Sequence, residues 1–265
     1  MSDRVRQVVV TASAVFMVVG TLFGIGLIGT PVENSAGGSL SATATLLAPA
    51  VRAFSIWSVI YAGLIAYVVW QWLPSNATSP RARRIGALSA VSMVLNGAWL
   101  LVTQAGWLWA SVVVILGLAA TLGELMRRLG RPTRAGSVEK LLVDGTFGLY
   151  LGWVSIATAA NITAALVASG VNPRPEFAEL WAVGVLAVAA VIGVLLARVL
   201  DGRLGVALAM SWGLFWIAFG RLAGEPSSAL AGAAAGVAAA VVLTATGLIW
   251  LRRAGEPVLV QARHR

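Results

Sequence analysis

The side chains that could do chemistry in this sequence are aromatic and amide groups at helical spacing. Trp57 and Tyr61 stand four residues apart, and Asn96 and Trp99 stand three apart. Tyr150, Trp153, Ala157 and Asn161 step by three, four and four. Trp212 and Trp216 repeat the four-residue step. Residues three or four apart share one face of a helix, so each set forms a stripe. Indole and phenol offer broad apolar faces with a single hydrogen-bonding handle. Two readings follow. The stripes pack a helix bundle, with the amides as interhelical glue worth about 0.6–2 kcal/mol. Alternatively, clustered on facing helices, they wall a pocket for a flat, mostly apolar ligand.

Acid–base and metal chemistry have little to draw on. There is no cysteine, and the single histidine, His264, is one residue from the end. That excludes a thiolate metal site, clustered histidine ligands and a Ser-His-Asp triad in the core. Glu124 and Asp144 fall near the ends of apolar runs, Glu124 within a turn of Arg127 and Arg128, where an ion-paired role is expected. The apolar runs are otherwise nearly free of charge, which argues against a proton pump, an ion channel or a carrier of charged substrates.

The elements that must position these stripes are membrane spans. The chain has 265 residues, 59% hydrophobic and 11% charged, with a mean hydropathy of +0.88, against about 25% charged residues in a soluble domain. From Ile85 to Gly123 no side chain is ionisable. Since one span takes roughly 20 residues, this run predicts two helices joined at Gln104-Ala105-Gly106. Apolar runs predict eight spans, at about 8–30, 53–73, 85–103, 107–126, 142–168, 180–200, 205–222 and 229–251. The first is too long for the h-region of a signal peptide and reads as an uncleaved helix. The expected fold class is therefore all-α, a polytopic bundle.

Eight spans put 16 of the 19 basic residues on one side, leaving only Arg52, Arg174 and Arg221 on the other. Basic residues in short loops stay cytoplasmic, so both termini are expected inside, in a cell inner (plasma) membrane. The net charge of +9 is then a topology signal that meets anionic lipid headgroups, and no nucleic-acid partner is expected. Trp70, Trp72, Trp107, Trp109, Trp181 and Trp250 fall at helix ends and are expected in the interfacial aromatic belts. Gly20-xxx-Gly24 and Gly232-xxx-Gly236 allow close helix approach, within the bundle or across a homodimer. Arg84-Ile-Gly and Arg203-Leu-Gly, each followed by an interior tryptophan, would fit a parallel repeat of helices 1–4 and 5–8.

Three motif blocks resemble the translocator protein family, also called the tryptophan-rich sensory proteins (TspO/MBR). They are Trp57-Ser-Val-Ile-Tyr61 with Ala66-Tyr67-Val-Val-Trp70; Leu95-Asn96-Gly97-Ala98-Trp99; and Tyr150-Leu-Gly-Trp153-Val-Ser-Ile-Ala157-Thr158-Ala-Ala-Asn161. The resemblance spans about residues 10–165. It departs from the family pattern at Phe54, one residue closer to Trp57 than usual. It departs again at Leu149, where a proline and its kink are expected, and at Ala160, where leucine is usual. It implies a five-helix bundle over residues 1–170, followed by three additional spans over 171–252 and a short basic tail over 253–265. It also implies a pocket for a porphyrin or other tetrapyrrole, or a sterol-like molecule, formed by Trp57, Tyr61, Asn96, Trp99, Trp153, Ala157 and Asn161. Tyr150 joins them from its place on the helix 5 stripe. No cofactor is obligatory on this reading, and a haem-type tetrapyrrole is the ligand to expect. Sensing or transport of such a ligand is the implied function. A tetrapyrrole-degrading enzyme acting through Trp57 and Trp153, and a secondary transporter of a neutral solute, are the alternatives.

Overall fold

In a computed structural model, which describes residues 1–130 and 136–254, eight helices are long and apolar enough to cross a membrane. They are α1 Asp3–Gly24, α2 Ile56–Trp72, α3 Pro80–Gln104, α4 Leu108–Leu129, α5 Ser137–Ala168, α6 Pro175–Val199, α7 Leu204–Ala223 and α8 Ala229–Ala254. The described chain has no strand. In lipid every backbone N–H and C=O must find an internal partner, and a helix does this within its own segment. His264, Arg131, Arg134, Arg263, Arg265 and most of the expected tail lie outside the described residues.

Several boundaries are set by chemistry that hydropathy does not weigh. α1 begins five residues before the expected start because Ser2 caps it, its Oγ accepting from the Val5 amide at 3.4 Å. Ser79 caps α3 in the same way and Pro80 opens it; Pro175 opens α6. Proline suits a first turn, where its missing N–H would have no partner in any case. α5 carries a π-helical stretch at Lys140–Gly145 and then runs as regular helix from Thr146 through Leu149 to Ala168. The turn at Gln104–Gly106 is where the sequence places it, with Gly106 at φ +74°.

α1, α2, α5, α4 and α3 pack in that cyclic order, each against the next, and close a five-helix ring. α7 packs on the outside of α5, α8 packs on α7, and α6 packs on α8. The junction between ring and outer helices is tight. A Cβ at Gly152 of α5 would stand 2.2 Å from the Val206 carbonyl oxygen of α7. Gly20 of α1 and Gly97 of α3 make a similar approach, 2.8 Å from a Gly20 Cβ to the Gly97 Cα. The outward faces, including Leu180, Val188, Val191 and Leu195 of α6, are exposed and apolar, as a lipid-facing surface must be.

One end of the bundle is charged. Arg83 pairs with Asp3 at 2.6 Å, and Arg253 with Asp201 at 3.0 Å. Arg81 bonds both oxygens of Asp144, at 2.8 and 2.9 Å, and reaches Glu139 at 3.2 Å. Arg203 bonds Asp144 and the Gly130 carbonyl. Asp144 thus ties α3, α5 and α7 together. Glu124 binds Arg127 and Arg128 at 2.7 and 2.6 Å, so both carboxylates are ion-paired.

Candidate functional site

Toward the opposite end, Trp57 is the hub of an aromatic cluster. Its ring stacks on Tyr61 at 5.1 Å, one turn along α2. It meets Tyr150 and Trp153 of α5 edge-on, at 5.8 and 6.2 Å. Phe54 completes the group, edge-on to Trp153 at 5.7 Å. Edge-to-face and offset contacts of this kind match the positive ring edge to the negative face.

The amides serve as helix ties. Tyr61 donates its hydroxyl to Asn96 Oδ1 at 2.9 Å, joining α2 to α3. Trp99 Nε1 donates to Asn161 Oδ1 at 2.7 Å, and Asn161 Nδ2 donates to Ser111 Oγ at 2.9 Å, joining α3, α4 and α5. Tyr150 donates to the Ser92 carbonyl at 3.2 Å. Within this cluster the buried donors Asn96 Nδ2 and Trp153 Nε1 have no partner among the described residues. An unmet donor in an apolar interior costs on the order of 1–3 kcal/mol, so each is a ready partner for an acceptor that enters.

Two chambers adjoin this cluster. The larger, about 390 Å³, is lined by Trp57, Tyr61, Trp99, Phe54, Thr21 and Val32 among others. Its exposed lining residues, Ile25, Val51 and Ser58, lie past the end of α1, in the α1–α2 connection and on α2. The smaller, about 50 Å³, lies between that connection and α5, and takes in Trp153, Ala157, Asn161 and Trp99. Val32, Phe54 and Trp99 line both chambers. Of the eight residues expected from the sequence, Trp57, Tyr61 and Trp99 line the larger chamber, and Trp99, Trp153, Ala157 and Asn161 the smaller. Asn96 and Tyr150 line neither and buttress the wall from behind. A third cavity, about 400 Å³, lies between α5, α6 and residues 44–47 of the connection, and includes Trp181. Thr45 lines both it and the small chamber.

The α1–α2 connection, residues 25–55, is the part of the site that sequence motifs miss. Its own signal is its length, since most connections in compact domains are far shorter and long ones are often functional; it folds into short 3-10 turns at Val32–Asn34, Ala36–Gly38 and Val51–Ser55. It is pinned at the start by Gln104, which donates to the Phe23 carbonyl at 3.2 Å and to Thr30 O, and accepts from the Thr30 amide. One further expectation is corrected. Trp70 is not in an interfacial belt: it is buried, stacked on Tyr67 at 6.1 Å. Arg221 lies inside the seventh helix, as the span 205–222 places it, and is enclosed there with 1% of its surface exposed.

A ring of five membrane helices around an aromatic chamber, extended on one side by three more, defines a multi-pass membrane protein with a lined interior cavity. A family model for TSPO-like proteins matches residues 7–248, and the chain belongs to that family. The matched region runs through α6, α7 and most of α8, so the outer helices lie within it. No curated protein and no solved structure matches the chain.

Proposed function

We infer that this protein binds a planar, mostly apolar ligand of porphyrin or sterol-like chemistry in the aromatic chamber, for sensing or transport in the cell's inner membrane. The observation that carries this reading is the convergence of Trp57, Tyr61, Trp99 and Phe54 on one cavity of about 390 Å³, within the range of roughly 300–1,000 Å³ usual for ligand pockets. Among the described residues Glu33 is the only charged one on its lining, which suits a ligand with a largely neutral face. Trp153, whose Nε1 has no partner among the described residues, lines the adjoining small chamber and supplies a spare donor there for a carbonyl or carboxylate edge. A porphyrin seated against these indoles quenches their emission. Titrating protoporphyrin IX into the purified protein is therefore expected to give saturable tryptophan quenching, weakened in the Trp57→Phe, Trp153→Phe double variant. Unchanged emission, or equal binding by the double variant, would remove the pocket assignment.

Passage of the ligand, rather than static binding, is favoured by one observation. The three cavities form a row with shared walls, Val32, Phe54 and Trp99 at one partition and Thr45 at the other. Flux of the same porphyrin into proteoliposomes separates a carrier from a binder.

A further inference from the structure

The ring motifs do not explain why α7 carries a buried arginine in its last turn. Arg221 donates from Nη1 to the Thr45 carbonyl at 3.0 Å, and from Nη2 to the Ala42 carbonyl at 2.9 Å and the Glu225 carbonyl at 3.2 Å. Two of these acceptors lie about 180 positions away in sequence, on the α1–α2 connection. The same helix holds that connection twice more. Trp212 Nε1 donates to the Ala53 carbonyl at 2.9 Å, and the Ala50 amide donates to the Trp216 carbonyl at 3.2 Å. At its other end α7 is moored through Arg203 to Asp144 and Gly130. Of the held positions, Thr45 itself lines the small chamber, and the others stand next to lining residues: Ala42 beside Ser41, Ala50 between Pro49 and Val51, and Ala53 beside Phe54.

We propose that α7 is the strut that holds the chamber wall in place, and that Arg221 is a positioning residue for ligand retention, acting through residues 42–53. A guanidinium presents its donors in a fixed fork, so one side chain satisfies carbonyls from two segments and fixes their spacing. Bonded only to carbonyls, it commits no acid of its own, and a buried charge left without such partners is costly. Leu40, Leu46 and Leu47 pack on the core to either side, and between them, where residues 41–45 are Ser, Ala, Thr, Ala and Thr, the Arg221 bonds supply the tether. Releasing them lets Thr45 and Phe54 move, which merges neighbouring chambers and opens an exit. Retention rests on the aromatic chamber holding a ligand, whereas the holding of the wall by α7 does not.

The test uses full-length protein in nanodiscs with protoporphyrin IX as probe. Three variants are compared with the wild type: Arg221→Met, Arg221→Lys and Trp212→Phe. Hydrogen–deuterium exchange over residues 36–53 reads the wall, and stopped-flow recovery of tryptophan emission reads probe dissociation. Arg221→Met is expected to lose protection at residues 42–50 and to release the probe about tenfold faster or more, since one hydrogen bond to a charged group is worth at least that factor. Arg221→Lys, with a compact ammonium in place of the fork, falls between, and Trp212→Phe shows a smaller change of the same sign. A purely structural arginine would lower the yield of folded protein while leaving the dissociation rate of the folded fraction unchanged, and that result in any of the folded variants overturns the proposal. So does unaltered exchange in Arg221→Met. If the wild type holds no probe, the ligand reading fails and retention with it, while the exchange data still decide whether α7 holds the wall.

Discussion

Trp153→Ala is expected to destabilise the protein by about 3–5 kcal/mol, the usual cost of removing a buried tryptophan from a packed core. Trp153 has 1% of its surface exposed and is in edge contact with both Phe54 and Trp57, so no water or lipid refills the space on its own terms. The loss also joins the small chamber to the aromatic cluster, since Trp153 forms part of the wall between them. Two effects should therefore appear together: a lower midpoint in thermal or denaturant unfolding, and weaker porphyrin quenching in the fraction that remains folded. Trp153→Phe keeps most of the volume but removes the unpartnered indole N–H. It should recover most of the stability while binding less well than the wild type. A variant as stable as the wild type with alanine at 153 would show that this side chain is not part of the packed core.

The adjacent residue predicts a failure of another kind. Gly152→Val is expected to separate α7 from α5, because even a Cβ would lie 2.2 Å from the Val206 carbonyl oxygen and 2.9 Å from the Ala209 Cβ. Backbone cannot yield as a flexible side chain does, and overpacking a close helix contact costs about 1–3 kcal/mol or more. Since α7 carries Arg203, Trp212 and Arg221, the damage should reach the chamber wall from behind. Exchange protection at residues 42–50 should fall although the substitution touches none of them. Limited proteolysis and hydrogen exchange read this directly, and a wild-type exchange pattern would mean that α5 and α7 accommodate the larger residue. Trp153 and Gly152 thus stand side by side on one helix, one lining the small chamber and the other packed against α7.

What was legible in the sequence follows a physical rule. The eight spans announce themselves because hydrocarbon demands long uncharged runs, and Gln104–Gly106 breaks the longest of them. The aromatic cluster is legible as well, because Trp57, Tyr61, Tyr150 and Trp153 obey helical spacing and the motif blocks bring two helices to one place. Asn96 and Asn161 read equally well as ties or as ligand contacts; both tie helices through Tyr61, Trp99 and Ser111, and Asn161 also lines the small chamber. The chamber wall was not legible. Its anchors on α7 end on carbonyl oxygens of residues 42, 45 and 53, and a backbone acceptor leaves no mark on side-chain identity. Arg221 falls inside the expected span 205–222, but charge pattern reports sidedness and not burial. Trp70 misleads for a related reason: position at a helix end does not say which face of the helix it occupies.

The most direct test of the central claim, that the aromatic chamber is a ligand site, is native mass spectrometry of the protein released from its own membrane. The wild type is expected to carry one planar apolar molecule per chain, and Ser58→Trp, which fills the larger chamber, should lose it. Finding only phospholipid adducts, or the same adduct in both proteins, would contradict the assignment.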